Sequence, residues 1–208
     1  YFPLSRNQRW SFLARLKMGY GNGYGDVGGI DQILPFTQHF TAGGSDSLRG
    51  FENNTVGPRG LRVTPSQVVQ DPSGEVILGD DSNNSFSVSS RSLGGNAMVL
   101  GGIELIVPTP FVEVDFDNSV RTSLFVDVGN VWDTEFDYDR YQTLNNNFSL
   151  SNDELIDYSD PTLYRASGGV SVQWLSPMGP MVFSFSKVIQ EREGDDSKFF
   201  TFNIGQTF

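Results

Sequence analysis

Residues 10–20 read WSFLARLKMGY, and the fold is decided by how this stretch is read. Trp10, Phe12, Ala14, Leu16, Met18 and Tyr20 share one parity, Ser11, Arg15, Lys17 and Gly19 the other, and only Leu13 breaks the rule. Successive side chains of an extended chain point to opposite faces, so the pattern predicts a strand with one apolar and one polar face. It recurs along the chain. Val99, Gly101, Ile103, Leu105 and Val107 stand against Gly102 and Glu104, and Thr122, Leu124, Val126 and Val128 against Arg121, Ser123, Asp127 and Gly129. Tyr164, Ala166, Gly168, Val170, Val172 and Trp174 oppose Arg165, Ser167, Gly169, Ser171 and Gln173. Met181, Phe183 and Phe185 oppose Val182, Ser184 and Ser186, and the chain closes with Phe200, Phe202, Ile204 and Phe208 against Thr201, Asn203, Gly205 and Thr207. The alternation predicts six strands, each near the ~9–11 residues that cross a bilayer when tilted.

Alternation alone fits a soluble sandwich as well as a membrane barrel, and the connectors separate the two. Ser176-Pro177-Met178-Gly179-Pro180 is a tight turn and 108–119 a modest one, whereas 21–95, 133–163 and 188–198 are longer. Short and long connectors alternate, as between the two sides of an outer-membrane barrel. Aromatics also gather at strand ends (Tyr20, Phe111, Trp132, Trp174, Phe208), as in interfacial girdles. The fold class predicted is therefore all-β, an antiparallel up-and-down transmembrane barrel. Six strands do not close a barrel, since natural ones begin at about eight. Open edges are expected at 10–20 and 199–208, with further strands N-terminal to Tyr1.

Composition excludes several classes. The chain has 208 residues, 17 of them Phe, with a formal net charge of −11 and a mean hydropathy of −0.27. Such acidity argues against nucleic acid, whose phosphates need clustered Lys and Arg. With no Cys and a single His (His39), disulfides and thiolate metal sites are excluded and a Ser-His hydrolase is disfavoured. Gly19-Tyr20-Gly21-Asn22-Gly23-Tyr24-Gly25 is glycine-rich, but no helix pattern follows, so it reads as a strand exit rather than a phosphate loop. Asp115 and Asp117, or Asp195 and Asp196, lack the spacing of a calcium loop and read as solvated turn acids. No cofactor and no catalytic residue are expected, and no enzyme.

The long connector holds the candidate site. Residues 40–57, FTAGGSDSLRGFENNTVG, place one cation between large apolar side chains in Leu48-Arg49-Gly50-Phe51. A loop arginine is ordinarily solvated, but Leu48 and Phe51 make little sense in water. Strand parity turns Glu104 and Asp127 to the polar face.

Five stretches, in this order, resemble the BamA family, the central subunits of the outer-membrane β-barrel assembly machinery. They are Ala42-Gly43-Gly44-Ser45 through Leu48-Arg49-Gly50-Phe51 to Asn54-Thr55-Val56-Gly57-Pro58; Gly94-Gly95-Asn96-Ala97-Met98; Pro108-Thr109-Pro110-Phe111; Asn118-Ser119-Val120-Arg121-Thr122 with Val131-Trp132-Asp133; and Phe202-Asn203-Ile204-Gly205. Leu48 stands where the family usually has Val, and 61–92 matches nothing in it, reading as a variable, largely extracellular insertion. The resemblance implies that residues 1–208 are the C-terminal portion of an outer-membrane barrel domain, the last six of about sixteen strands. Within it, 21–95 is a long extracellular and lumen loop, folded inward at 40–57, and 133–163 a second long loop. It implies that Leu48, Arg49, Gly50 and Phe51 form a loop latch, with Glu104 and Asp127 as lumen partners of Arg49. It also implies a lateral seam and terminal signal at Phe202, Gly205 and Phe208. The function implied is folding and insertion of β-barrel proteins into the bacterial outer membrane, without ATP. Its partners would be client outer-membrane barrels, lipoprotein subunits of the assembly complex, the lipid bilayer and lipopolysaccharide. A secretion or translocation pore of the same superfamily is the alternative.

Overall fold

The computed structural model describes residues 2–4, 10–27, 30–31, 33–64, 68–70, 76–78, 85–109, 119–139 and 156–205. Its strands are β1 (Phe2–Pro3), β2 (Ser11–Tyr20), β3 (Asp26–Val27), β4 (Ile30–Asp31), β5 (Arg59–Thr64), β6 (Val68–Gln70) and β7 (Val76–Leu78). They continue with β8 (Ser85–Ser92), β9 (Ala97–Val107), β10 (Val120–Trp132), β11 (Arg165–Ser176), β12 (Gly179–Gln190) and β13 (Phe200–Ile204). One antiparallel sheet runs in the order β1-β2-β9-β10-β11-β12-β13, its strands following one another in chain order except that β3–β8, which form three two-stranded sheets, intervene between β2 and β9. The architecture is the all-β, up-and-down one that the alternation predicts, and the sheet is not closed.

β10 is the centre of the sheet. It is in register with β9 from Thr122↔Val107 to Trp132↔Ala97, and with β11 from Val120↔Trp174 to Gly129↔Arg165. The ladder narrows towards the end of the chain, where β13 pairs with β12 only from Met181↔Ile204 to Phe185↔Phe200.

The two faces differ as parity requires. Leu16, Met18, Ile103, Leu124, Val126, Phe185 and Phe202 are exposed on one, with Leu16 at 68%. An apolar band of that extent is rare on a protein bathed in water on all sides. No described helix is long and apolar enough to cross a membrane. Against the other face the core gathers: Ala42, Leu48, Phe51 and Val56 from the long loop pack on Met98, Leu100 and Val131 of β9 and β10.

One expectation changes. The edge at β2 is not bare along its whole length, because β1 pairs with it at Phe2↔Phe12 and Pro3↔Ser11. Proline is at home there, since an outermost strand need not donate a ladder bond from every residue. The polar insertion at 61–92 contains paired strands, β5 with β8 and β6 with β7. Its polar composition conceals the period-two run Ser85-Phe86-Ser87-Val88-Ser89.

Candidate functional site

The loop of residues 40–57 reaches the covered face through a series of short backbone pairings. Phe40 bridges Gly95, Ala42 bridges Val56, Gly44 bridges Leu48, and Phe51 bridges Ser197. The turn that delivers Arg49 depends on Gly50, whose φ of +92° is a conformation that costs an L side chain energy. Space demands glycine there as well: a Cβ at Gly50 would come within 3.0 Å of Ser167 Cβ and 3.2 Å of Ser186 Cβ. Leu48 and Phe51 are fully buried on either side, holding the segment by apolar contact.

Arg49 is fully buried and bonded through its whole guanidinium. Nε donates to Asp127 Oδ2 at 2.7 Å and Nη2 to Asp127 Oδ1 at 3.0 Å, a two-point fork on one carboxylate. Nη1 donates to Glu104 Oε2 at 3.3 Å, and the backbone N–H of Arg49 donates to Asp127 Oδ2 at 3.3 Å. The guanidinium carbon stands 3.5 Å from the centroid of the Phe125 ring, a cation–π contact in a desolvated setting. Ser167 Oγ donates to the carbonyl of Arg49, and Ser123 Oγ to Glu104 Oε1 at 2.5 Å. The structure thus brings Leu48, Arg49, Gly50, Phe51, Glu104 and Asp127 together at one place.

A second cation completes the charge balance. Arg15 Nη2 lies 2.8 Å from Asp127 Oδ1, so two guanidinium groups share one carboxylate while Glu104 supplies the second negative charge. The register explains the reach. Arg15 is opposite Gly102, and Gly102 is opposite Asp127, placing all three in one row across β2, β9 and β10. A Cβ at Gly102 would fall 2.6 Å from both Arg15 Nε and Asp127 Oδ1, so the row closes only over a residue without one. Arg15 was legible in the sequence as an inward cation. Its partner was not, because parity assigns a face and not a row.

Asp195 corrects an expectation. Read from sequence as a solvated turn acid, it has a fully buried side chain that takes Arg165 Nε at 2.9 Å and Nη2 at 3.2 Å. Arg165 Nη1 also donates to Asn130 Oδ1 at 2.7 Å and to the carbonyl of Leu163 at 2.9 Å. A local acid pair carries no signal of a guanidinium 30 residues away in sequence. The carbonyl of neighbouring Asp196 accepts the N–H of Glu52 at 2.8 Å. Asp115 and Asp117 lie outside the described residues. His39 Nε2 lies 3.1 Å from the carbonyl oxygen of Leu34, a structural contact within its own loop.

The seam candidates lie apart from the arginine. Phe202 is on the exposed face, its ring stacked on Phe183 at 4.9 Å between centroids. Gly205 has a φ of +85° and its N–H donates to the carbonyl of Pro180 at 2.8 Å. Phe208 lies outside the described residues. Asn203, which sequence reading did not single out, donates from Nδ2 to Ser45 Oγ and so links β13 to the buried loop.

Compared with known proteins, residues 1–208 match the Omp85 superfamily domain. The chain is 31% identical over 221 aligned residues to the outer membrane protein assembly factor BamA of Neisseria meningitidis serogroup B, covering 100% of this chain and 24% of that protein. It is similar also to the crystal structure of BamA from Haemophilus ducreyi lacking POTRA domains 1–3, with a TM-score of 0.70 at 32% identity over 97% of this chain and 32% of the other. The chain therefore spans about a quarter of the length of its curated relative.

Proposed function

Because the chain belongs to the Omp85 superfamily, we propose that it is the C-terminal portion of the barrel of an outer-membrane protein assembly factor. Its location is the bacterial outer membrane. In this reading the whole protein folds and inserts client β-barrel proteins without ATP, by an action that is not enzymatic. The observation that carries it is the likeness to the assembly factor BamA of Neisseria meningitidis over 100% of the chain at 31% identity, and to BamA of Haemophilus ducreyi over 97% of it at 32%.

The geometry supports the same reading. In hydrocarbon every unpaired backbone N–H or C=O costs several kcal/mol, so the margin of an incompletely paired terminal strand is an active edge rather than a neutral one. β13, with its five residues, stacked Phe202 and positive-φ Gly205, is the proposed chain-side margin of a lateral seam, and Phe208 the proposed terminal signal. Arg49, with Leu48, Gly50 and Phe51, is the proposed latch, held on the lumen wall by Glu104 and Asp127. Residues 40–57 are then the lumen part of the long extracellular and lumen loop 21–95, and 133–163 is the proposed second long loop. Client barrels, lipoprotein subunits, lipid and lipopolysaccharide are the proposed partners.

The test uses the full-length protein that contains these residues. Depleting it should lower the levels of other outer-membrane barrels, and in liposomes it should speed the folding of a purified client barrel with no nucleotide present. Large, steady currents in planar bilayers, with no effect on client folding, would instead identify a transport pore.

A further inference from the structure

The segment between β12 and β13 is tied at two points, and its ties connect the buried loop to the end of the chain. On the wall side, Asp195 takes the Arg165 fork described above, and its Oδ2 also accepts the N–H of Arg192 at 2.9 Å. The Asp195 N–H donates to the carbonyl of Arg192 at 3.0 Å, so one carboxylate both closes the turn and pins it to β11. Asn130 extends the cluster to β10, accepting from Arg165 and donating to the carbonyls of Asp160 and Pro161. On the loop side, Glu52 N–H donates to Asp196 O and Lys198 N–H to Gly50 O, both at 2.8 Å, either side of the Phe51↔Ser197 bridge. Two residues beyond Lys198 the last strand begins, attached to the sheet by five residue pairs and to the loop through Asn203 and Ser45.

From this we infer that Arg165 and Asp195 are positioning residues for β13. They fix the turn at 192–195 to the wall. The following residues thereby keep their register against Gly50–Glu52, and the terminal strand is held through the buried loop as well as through its short ladder. A buried bidentate pair is suited to this, because its two parallel bonds set an orientation as well as a distance. Its consequence for client insertion rests on the assembly reading; its geometry does not.

Hydrogen exchange on the full-length protein in bilayers, without client, tests the inference. Asp195→Asn leaves the Arg165 charge buried and can fail to fold, so the second variant is Arg165→Gln with Asp195→Asn, which removes both charges. Amides of 196–204 should exchange roughly tenfold faster in it, the scale of one charge-assisted hydrogen bond, while those of 42–49 keep their protection. Unchanged exchange at 196–204 would overturn the inference. So would an equal rise at 42–49, which marks the pair as a general stabiliser. A separate measurement of client-barrel levels keeps the two readings apart. Faster exchange at 196–204 alone, in a protein whose depletion leaves client-barrel levels unchanged and which carries large steady currents, upholds the positioning role and sinks the assembly reading.

Discussion

Arg49 and Asp127, 78 positions apart, meet in a two-point bond of 2.7 and 3.0 Å with neither side chain exposed to solvent. The loop residue and the strand residue are fixed relative to each other in both distance and angle, because a planar fork on a planar carboxylate leaves little freedom. What each side would do without the other follows from who else is nearby.

Arg49→Ala leaves Asp127 with Arg15 and Glu104 with Ser123, whereas Asp127→Ala takes from Arg49 its two-point partner and leaves it beside Glu104 and the Phe125 ring. Breaking one side of a buried pair costs about 3–5 kcal/mol, and Arg15 should bring Arg49→Ala to the low end. Denaturant midpoints in detergent micelles would give the cycle, with a coupling of about 0.5–3 kcal/mol expected. Strictly additive losses would rule out a direct partnership. Charge reversal at both positions should rescue poorly, because Arg15 would then face a second cation at 127.

Gly50→Ala should loosen the loop without touching the ion pair directly. Its φ of +92° costs a Cβ-bearing residue about 1–2 kcal/mol, and the added carbon would press on Ser167 and Ser186. Limited proteolysis of the folded protein should show new cleavage near 48–52. Resistance equal to that of the parent would mean that the turn has room not visible in the structure.

Gly102→Ala distinguishes the two arginines. The new Cβ would collide with Arg15 and with Asp127, but Arg15 has a side chain 30% exposed and can swing away, while Asp127 is held by Arg49. Arg15→Ala alone should cost what a partly exposed pair does, about 0.2–1 kcal/mol. Gly102→Ala should cost more, with or without Arg15, because the 2.6 Å approach to Asp127 Oδ1 remains after Arg15 moves aside. A Gly102→Ala loss no larger than that of Arg15→Ala would show that Asp127 yields without disturbing Arg49.

Asp160 carries the one pH expectation. On the connector before β11, the Thr162 hydroxyl and its backbone N–H, 2.7 Å from Oδ1, hold its carboxyl below the ordinary 3.8. With the folded value depressed, the stabilising contribution is present above 3.8 and is lost as pH falls through the lower folded value. Protection of the Thr162 amide, relative to its intrinsic exchange rate at each pH, should fall only in acid below 3.8, and Asp160→Asn should flatten that dependence. A loss of protection at neutral pH in the parent protein would contradict the assignment.

The sequence by itself determined six strands of the main sheet, their two faces and the class of fold, because period-two alternation is a local property read residue by residue. It also singled out Arg49 as a cation in apolar company and turned Glu104 and Asp127 to the polar face. Tertiary structure alone decided which row each residue occupies. Arg15, Gly102 and Asp127 share a line only after β2, β9 and β10 settle into register, and a shift of two residues would preserve every face while breaking the charge cluster. The same holds for Asp195, whose acidity and turn setting are those of a solvated residue until β11 brings Arg165 against it. Side-chain parity is set by the backbone at each step, whereas register is set by the summed fit of whole strands and the loop packed on them.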